Sequence, residues 1–445
     1  MSLHKNIFIA FFTACVLFTE LSAKDTFSFS GVPEEEKISE EIFTNYIRDI
    51  IILQPEYLEA KAKNYELSEN KKYAQRLRFP ALSASIINDR SIRRNIEKVG
   101  LFDQKQRKVR DDSFDGVVSI DQPLYTGNEI NSKIKLAKSE ITYSSIQSSE
   151  IASELIITAV QIYLDAASSV LLNDYAIELL NKIRKHKESA RLRFEAGATE
   201  NSEYALVNIR FSEIEVKQAM LEANKIKKLL IFRSFFKEEY SSIGLPRMKL
   251  FENESYNSSD IKSNSYSEQK SDISIRQQRH KLEITKSQYR PNLGFSMRYT
   301  QYDIDDEAED NDLRGGIYFS LPLFSFGRGS AEVAAANSRI NQAIINKNKV
   351  VRDTSNQSAN IFGSFFGSLQ AREKLINSYE NVKLQRETFE IRMASSFSIP
   401  ALLEAVSREL NLYEQLIENE KNLLIADLNN RHLKRELLST FYLTN

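Results

Sequence analysis

Residues 128–196 read NEINSKIKLAKSEITYSSIQSSEIASELIITAVQIYLDAASSVLLNDYAIELLNKIRKHKESARLRFEA, a run with neither Gly nor Pro. At a rise of ~1.5 Å per residue, one helix of that length is ~100 Å long. No ordinary globular core is that wide. Such a helix buries a stripe against neighbours along its course, as in coiled coils and helical barrels. Ile134, Ala137, Ile141, Ile151, Leu155, Ile162, Ala166 and Val170 recur at helical steps and predict the buried stripe. Residues 198–243 and 401–445 also lack both breakers, and 330–399 has no Pro and two Gly. On 401–445 the predicted stripe is Leu403, Val406, Leu410, Tyr413 and Ile417. Small residues at Ser144, Ser145, Ser148, Ser149, Ala331, Ala334, Ala335 and Ala336 predict close helix approach, as do Gly363 and Gly367. No stretch after the N-terminal region approaches the ~18 apolar residues of a membrane-spanning helix.

The whole chain shares this scarcity. It has 13 Gly and 8 Pro in 445 residues, where average usage gives about 53. Length alone predicts two to four domains, at about 100–200 residues each. So few breakers exclude all-β sandwiches and many-loop α/β enzymes. A net charge of −1 gives no footprint for nucleic acid.

The breakers gather around 80–127 and 291–329. There the apolar period changes to two. Leu82, Ala84 and Ile86 alternate with Ser83 and Ser85, and Val118 and Ile120 with Ser119 and Asp121. Leu293, Phe295, Met297 and Tyr299 alternate with Gly294, Ser296, Arg298 and Thr300. Ile317, Phe319, Leu321 and Leu323 do so with Gly316, Tyr318, Ser320 and Pro322. Strands of about ten residues match a tilted outer-membrane strand. A pair of half-buried soluble hairpins has the same alternation.

The pattern occurs twice. Gln122-Pro123-Leu124-Tyr125 returns as Leu321-Pro322-Leu323-Phe324, Arg193-Phe194 as Arg392-Met393, and Pro80 as Pro291. The expected unit is helix, strand, strand, long helix, turn, helix, used in tandem. Four strands cannot close a barrel, and open edges are not tolerated in lipid. Two copies would close about eight strands around packed side chains, whereas three would leave a lumen. The geometry predicts a homotrimer.

At the N-terminus, Lys5 precedes an apolar run from Ile7 to Phe18, and Leu21-Ser22-Ala23 fits a cleavage site. A buried N-terminal helix is the competing reading. Cys15 is the only cysteine, and lipidation there is disfavoured by the apolar residues after it. Cleavage after Ala23 leaves a mature chain that needs neither disulfides nor thiol chemistry.

These features together resemble the TolC-like outer-membrane efflux protein family. Gln54-Pro55-Glu56-Tyr57-Leu58-Glu59-Ala60 resembles its first-helix signal, with Gln in place of Asn. Gln122 to Gly127 and Leu321 to Arg328 resemble its strand-to-helix junctions, at Pro123, Gly127, Pro322 and Gly327. Phe194 to Thr199, around Gly197, resembles the turn of its paired helices, and the second such turn ends at Pro400. The resemblance covers about 39–236 and 271–440.

It implies a mainly α fold with membrane β. Two tandem repeats would build a trimeric twelve-stranded β-barrel continuous with a long periplasmic α-helical barrel. The implied divisions are a signal peptide at 1–23 and a first repeat at 24–236, with strands about 81–90 and 114–124. A Ser/Asn-rich linker or equatorial insertion follows at 237–270, then a second repeat at 271–445 with strands about 292–302 and 314–324. The implied place is the outer membrane, extending into the periplasm of a Gram-negative cell. The implied partners are outer-membrane lipid, a periplasmic adaptor and an inner-membrane ABC or resistance–nodulation–division transporter, serving type I protein secretion or small-molecule efflux. The resemblance also implies that Glu203 and Arg392 brace the periplasmic gate and that Glu404 lines it. Ala401 stands where the family carries a second acid. Three Glu404 carboxylates around an axis would favour cations. Solvated helix-face carboxylates near helix N-termini are the competing reading.

Residues 89–112 hold eight Lys/Arg and five Asp/Glu, and 303–312 hold seven acids. Both read as solvated strand-tip loops, or as oppositely charged loops that pair across an outer mouth. The His at 4, 186, 280 and 432 have no metal spacing. No cofactor is expected. Gly327-Arg328-Gly329 lacks a phosphate loop's third glycine, and no serine sits in a nucleophile elbow. The chain is expected not to be an enzyme. The rival class is a periplasmic or secreted coiled-coil scaffold without channel activity.

Overall fold

Where Gly and Pro are missing, the chain is mostly helical. A computed structural model of the protein describes residues 26–32, 37–90, 92, 112–241, 244–250, 265–304, 310–392 and 398–443. The expected signal peptide with Cys15, most of the basic loop, the centre of the acidic loop, residues 251–264 and the expected second helix-pair turn at 393–397 lie outside the described residues.

The elements run in the order β1 Thr26–Phe27, β2 Lys37–Ile38, α1 Glu40–Ile52, α2 Pro55–Arg76, β3 Ala81–Arg90, β4 Asp112–Thr126, α3 Glu129–Glu195 and α4 Asn201–Phe236. Then come β5 Leu245–Pro246, β6 Met248–Lys249, α5 Tyr266–Ser287, β7 Asn292–Gln301, β8 Asn311–Ser320, α6 Arg328–Arg392, α7 Ile399–Lys434 and α8 Leu437–Thr440. Helices α3 and α6 have 67 and 65 residues, and α4 and α7 have 36 each. Both α4 and α7 end on a left-handed basic residue, Lys237 at φ 61° and Arg435 at φ 63°.

The chain divides into two units. One takes described residues from 1–60, 147–268 and 350–445, the other 61–146 and 269–349. The first is helical, and α7 is its buried axis. Leu402, Leu403, Val406, Leu410, Tyr413, Leu416, Ile417, Leu423 and Leu424 are all buried, so the stripe at helical spacing is the core. On α3, Ile156, Ala159, Val160, Tyr163, Leu164 and Ala166 are among the fully buried residues. Of the expected stripe, Ala137, Leu155 and Ala166 are buried, while Ile134, Ile141, Ile151, Ile162 and Val170 lie half-buried, so the core stripe is shifted around the helix from it. Tyr163 packs edge-on to Phe43 of α1 at 5.1 Å, lies 6.2 Å from Phe232 of α4, and donates to the Gly244 carbonyl at 2.7 Å.

One expectation is corrected here. Helix α3 does contain an 18-residue window with mean hydropathy 1.8, long and apolar enough to cross a membrane. Fifty-six per cent of that window is buried inside the protein. Asp165, central to the apolar run, is paired with Lys228 and Lys421, so the stretch is core and not lipid-facing. The small residues divide. Ser144 and Ala336 are buried and Ser148 donates to the Ala60 carbonyl of α2 at 3.4 Å, whereas Ala331, Ala334, Ala335, Gly363 and Gly367 are exposed, with nothing within 4 Å of a Cβ added at either glycine.

Residues 26–32 close on this core. Phe27, Phe29 and Val32 are buried, β1 pairs with β6, and β2 pairs in parallel with β5. The Ser30 amide donates to Glu420 at 2.8 Å, and Arg372 donates to the Ser28 carbonyl at 2.8 Å.

The second unit carries one antiparallel sheet in the order β3-β4-β7-β8. Strand β8 ends at Ser320, short of Phe324, because Pro322 offers no amide N–H to a ladder. In β4 the proline is accommodated by a register shift between Pro123 and Tyr125, a bulge that leaves Leu124 unpaired.

Candidate functional site

The sheet sorts its side chains by chemistry. Register places Leu82, Ile120, Met297 and Gly315 in one row, and Ala84, Val118, Tyr299 and Leu313 in the next. Phe295 with Ile317 and Leu293 with Phe319 continue that face. The alternate rows are Ala81, Asp121, Ser296, Gly316, then Ser83, Ser119, Arg298, Arg314, then Ser85, Val117, Thr300, Asp312. One face is thus apolar and the other polar, as the period of two requires. The apolar face is bare: Leu82 is 71% exposed and Ile317 70%. Ten residues tilted at ~45° rise ~24 Å, the height of a membrane β-band. Exposed Phe79, Tyr125, Phe324 and Phe326 gather at the helix-proximal end. Phe324 and Phe326 meet edge-on at 4.6 Å. Aromatic rings of this kind sit at headgroup level in membrane proteins.

The sheet ends in two braced junctions. At the first, Gly127 and Asn128 are both left-handed, at φ 59° and 76°. Arg290 donates to the Gly127 carbonyl at 3.1 Å and to Glu283 at 3.1 Å. Gln122 donates to the Arg78 carbonyl at 2.9 Å, and Arg78 donates to Asn131 at 2.7 Å. At the second, Phe326 and Gly327 are left-handed at φ 49° and 81°, beyond exposed Pro322. These positions lie at the same separation as the Pro123 and Pro322 pair.

Gly197 forms the turn between α3 and α4, at φ 72°. The Ala198 amide donates to the Arg193 carbonyl at 2.8 Å and the Gly197 amide to the Phe194 carbonyl at 2.9 Å, a Schellman closure. The two glycines differ in surroundings. A Cβ at Gly197 would meet nothing within 4 Å, but at Gly127 it would meet the Ser287 carbonyl at 2.7 Å and Arg290 Cβ at 2.8 Å. Gly197→Ala is expected to cost only the left-handed conformation, about 1–2 kcal/mol. Gly127→Ala is expected to cost clearly more, because the junction must also shift. Thermal unfolding of both variants in detergent checks this, and equal losses would show that the Gly127 contact is slack.

The expected gate residues fall at the ends of the paired helices. Glu203 is exposed in the first turn of α4, and Arg392 is exposed as the last residue of α6. Pro400 is the second residue of α7. Glu404 lies past the first turn of α7 and is not a bare carboxylate. It pairs with Arg210 of α4 at 3.3 Å and with Arg408 one turn on at 3.1 Å.

Sequence reasoning missed the ionised groups inside the helical unit. Glu409, Glu420 and Asp427 of α7 are fully buried. Each binds an arginine: Glu409 to Arg386 at 2.5 Å, Glu420 to Arg372 at 3.0 Å, and Asp427 to Arg431 at 2.8 Å. Tyr175 of α3 donates to Glu409 at 2.5 Å and meets the Tyr379 hydroxyl at 3.1 Å. Burial, then the Glu409 contact, pushes the Tyr175 hydroxyl far above the ordinary tyrosine value. Burial works against the Arg386 charge, but the bond to Glu409, its charge and that of Glu390 together outweigh it and raise Arg386. Burial raises Glu420 despite its bonds to Ser30 and Arg372. The signal was present: the three acids stand in register with the α7 apolar stripe. Among the described residues, no group of three or more His, Cys, Asp and Glu is placed to hold a metal ion.

No protein-family model and no curated protein matches the sequence. Solved structures do match the fold. The Campylobacter jejuni CmeC outer membrane channel matches with TM-score 0.74 at 14% identity, over 92% of this chain and 91% of that one. The open state of the Neisseria gonorrhoeae MtrE outer membrane channel matches with TM-score 0.72 at 12% identity, over 88% of this chain and 89% of that one. The outer membrane protein VceC of Vibrio cholerae matches with TM-score 0.66 at 13% identity, over 90% and 96%. The fold is that of TolC-like outer-membrane channels, as the motifs led us to expect.

Proposed function

We propose that the chain is the outer-membrane exit channel of a tripartite export system, extending into the periplasm and catalysing no reaction. The observation that carries this reading is the sheet itself. It has one bare apolar face, one polar face and, among the described residues, two unpaired edges, β3 and β8, on a chain with an outer-membrane channel fold. Unpaired edges are not stable in lipid. The edges are satisfied if β8 of one copy pairs with β3 of the next. Three copies close twelve strands around a lumen, where two would close about eight around packed side chains. The apolar face then meets lipid, the polar face lines the lumen, and the long helices form the periplasmic tunnel.

The matched lengths of α3 with α6 and α4 with α7, the paired left-handed junctions, and the left-handed caps at Lys237 and Arg435 support two tandem repeats within 24–236 and 271–445. The residues between them, 237–270, are an insertion that supplies β5 and β6 and the first turn of α5. The partners of this reading are a periplasmic adaptor and an energised inner-membrane transporter, in type I secretion or small-molecule efflux.

At the helix-pair ends we assign the gate to Glu203, Arg392 and Glu404, with Arg210 as the partner that holds Glu404. Reconstitution in planar bilayers tests the whole reading. The expected result is a detergent-requiring trimer that conducts ions, with cation selectivity lowered in Glu404→Ala. A soluble, non-conducting chain would instead support a coiled-coil scaffold, and selectivity unchanged in Glu404→Ala would remove Glu404 from the gate.

A further inference from the structure

We infer that the polar face of the sheet carries an anion-binding row, built from Arg298 and Arg314 with Ser296 beside them, that takes a multiply charged carboxylate or phosphate group. The inference rests on the channel reading for its place in the lumen, but its chemistry is that of one chain.

Register sets Arg298 of β7 directly opposite Arg314 of β8. Like charges in that position destabilise a sheet, so the pair is a cost with no structural return. Among the described residues Arg298 has no ion-pair or hydrogen-bond partner, and it is exposed. Arg314 is 80% exposed and gives its Nε to Asp312 at 2.5 Å, which leaves its terminal nitrogens available. On the other side of Arg298 the row continues through Ser119 and Ser83, whose hydroxyls are bonded at 2.8 Å. The adjacent row presents Ser296 and then Gly316, where nothing lies within 4 Å of an added Cβ. The missing side chain leaves an open depression beside two guanidinium forks. Such forks match carboxylate and phosphate oxygens two at a time. An anion seated there relieves the repulsion between the arginines. Asp121 and Asp312, in the flanking rows, offset part of the positive potential, Asp312 through its bond to Arg314, so a group of several negative charges is held more firmly than a single charge.

The test uses the full chain and inositol hexakisphosphate as the probe, at low ionic strength because exposed charges are screened over about 10 Å at 0.1 M salt. In planar bilayers the probe is expected to block wild-type conductance. Its half-blocking concentration should rise at least tenfold in the Arg298→Ser/Arg314→Ser double variant. Arg298→Lys/Arg314→Lys should fall between the two, because lysine keeps the charge and loses the fork. Calorimetric binding to the detergent-solubilised protein, with folding checked by circular dichroism, reads the same site without conduction. Binding present in the wild type and lost in the double serine variant supports the row even if no channel opens, in which case the channel reading fails alone. Equal block or equal binding in the wild type and the folded double serine variant overturns the row, as does a conducting wild type that the probe neither blocks nor binds.

Discussion

Ala84→Arg is expected to abolish assembly of the chain in membranes, and Ser85→Arg, one residue along β3, to leave it intact. Ala84 lies mid-strand in the row with Val118, Tyr299 and Leu313, all on the bare apolar face. Arginine at the lipid-facing midplane of a membrane barrel costs about 2–4 kcal/mol, and a trimer bears that three times, roughly 6–12 kcal/mol in all. Ser85 shares its row with Thr300 and Asp312 on the polar face. Arginine there stays in water. Outer-membrane fractionation of the two variants checks the contrast. Insertion of Ala84→Arg at wild-type levels would show that the face does not meet lipid, and the channel reading would fall with it.

Glu409→Ala is expected to destabilise the helical unit by about 3–5 kcal/mol. The substitution leaves the Arg386 guanidinium, only 4% exposed, without its closest acid, and takes from the Tyr175 hydroxyl its carboxylate acceptor. Glu390 and Glu387 remain near Arg386, at 3.1 and 3.3 Å, but both sit on its own helix and neither ties α6 to α7. The sign of the effect comes from the stranded charge, not from the worth of the pair. Arg386→Met/Glu409→Leu, which removes both charges and keeps volume, is therefore expected to recover most of the loss. Thermal unfolding of the solubilised variants measures both. A double variant no more stable than Glu409→Ala would mean that the pair itself holds the helices.

How far the sequence is readable depends on how local the physics is. Helix length is local: without Gly or Pro nothing stops α3, which runs nearly the whole of its breaker-free stretch, and without Pro the two isolated glycines at 363 and 367 do not stop α6. Strand faces are local too, because side chains alternate at every step. The end of β8 is local in hindsight, since Pro322 lacks the donor a ladder needs. Helix rotation is not local. A 3.6-residue period fits several adjacent stripes, and only the neighbours choose the one through Ile156, Ala159 and Tyr163. The left-handed Phe326 was hidden because sequence logic assigns positive φ to glycine, and here the junction geometry imposes it on the residue before Gly327. The partner of Glu404 was hidden for the same kind of reason. Arg210 lies far away in sequence, and no pattern of spacing links α4 to α7. Glu409, Glu420 and Asp427 were legible as polar interruptions of an apolar stripe, and Arg431 as an i,i+4 partner of Asp427, but Arg386 and Arg372 on α6 were not.

The seating of residues 26–32 has a consequence for the order of assembly. Ser30 meets Glu420 across 390 positions, Gly31 accepts from Tyr413 across 382, and Ser28 accepts from Arg372 across 344. Contacts so distant in sequence are slow to form, because the intervening loop must close first. The first stretch to be made therefore waits for α7, which is made late. Until then Phe27 and Phe29 have no core to enter.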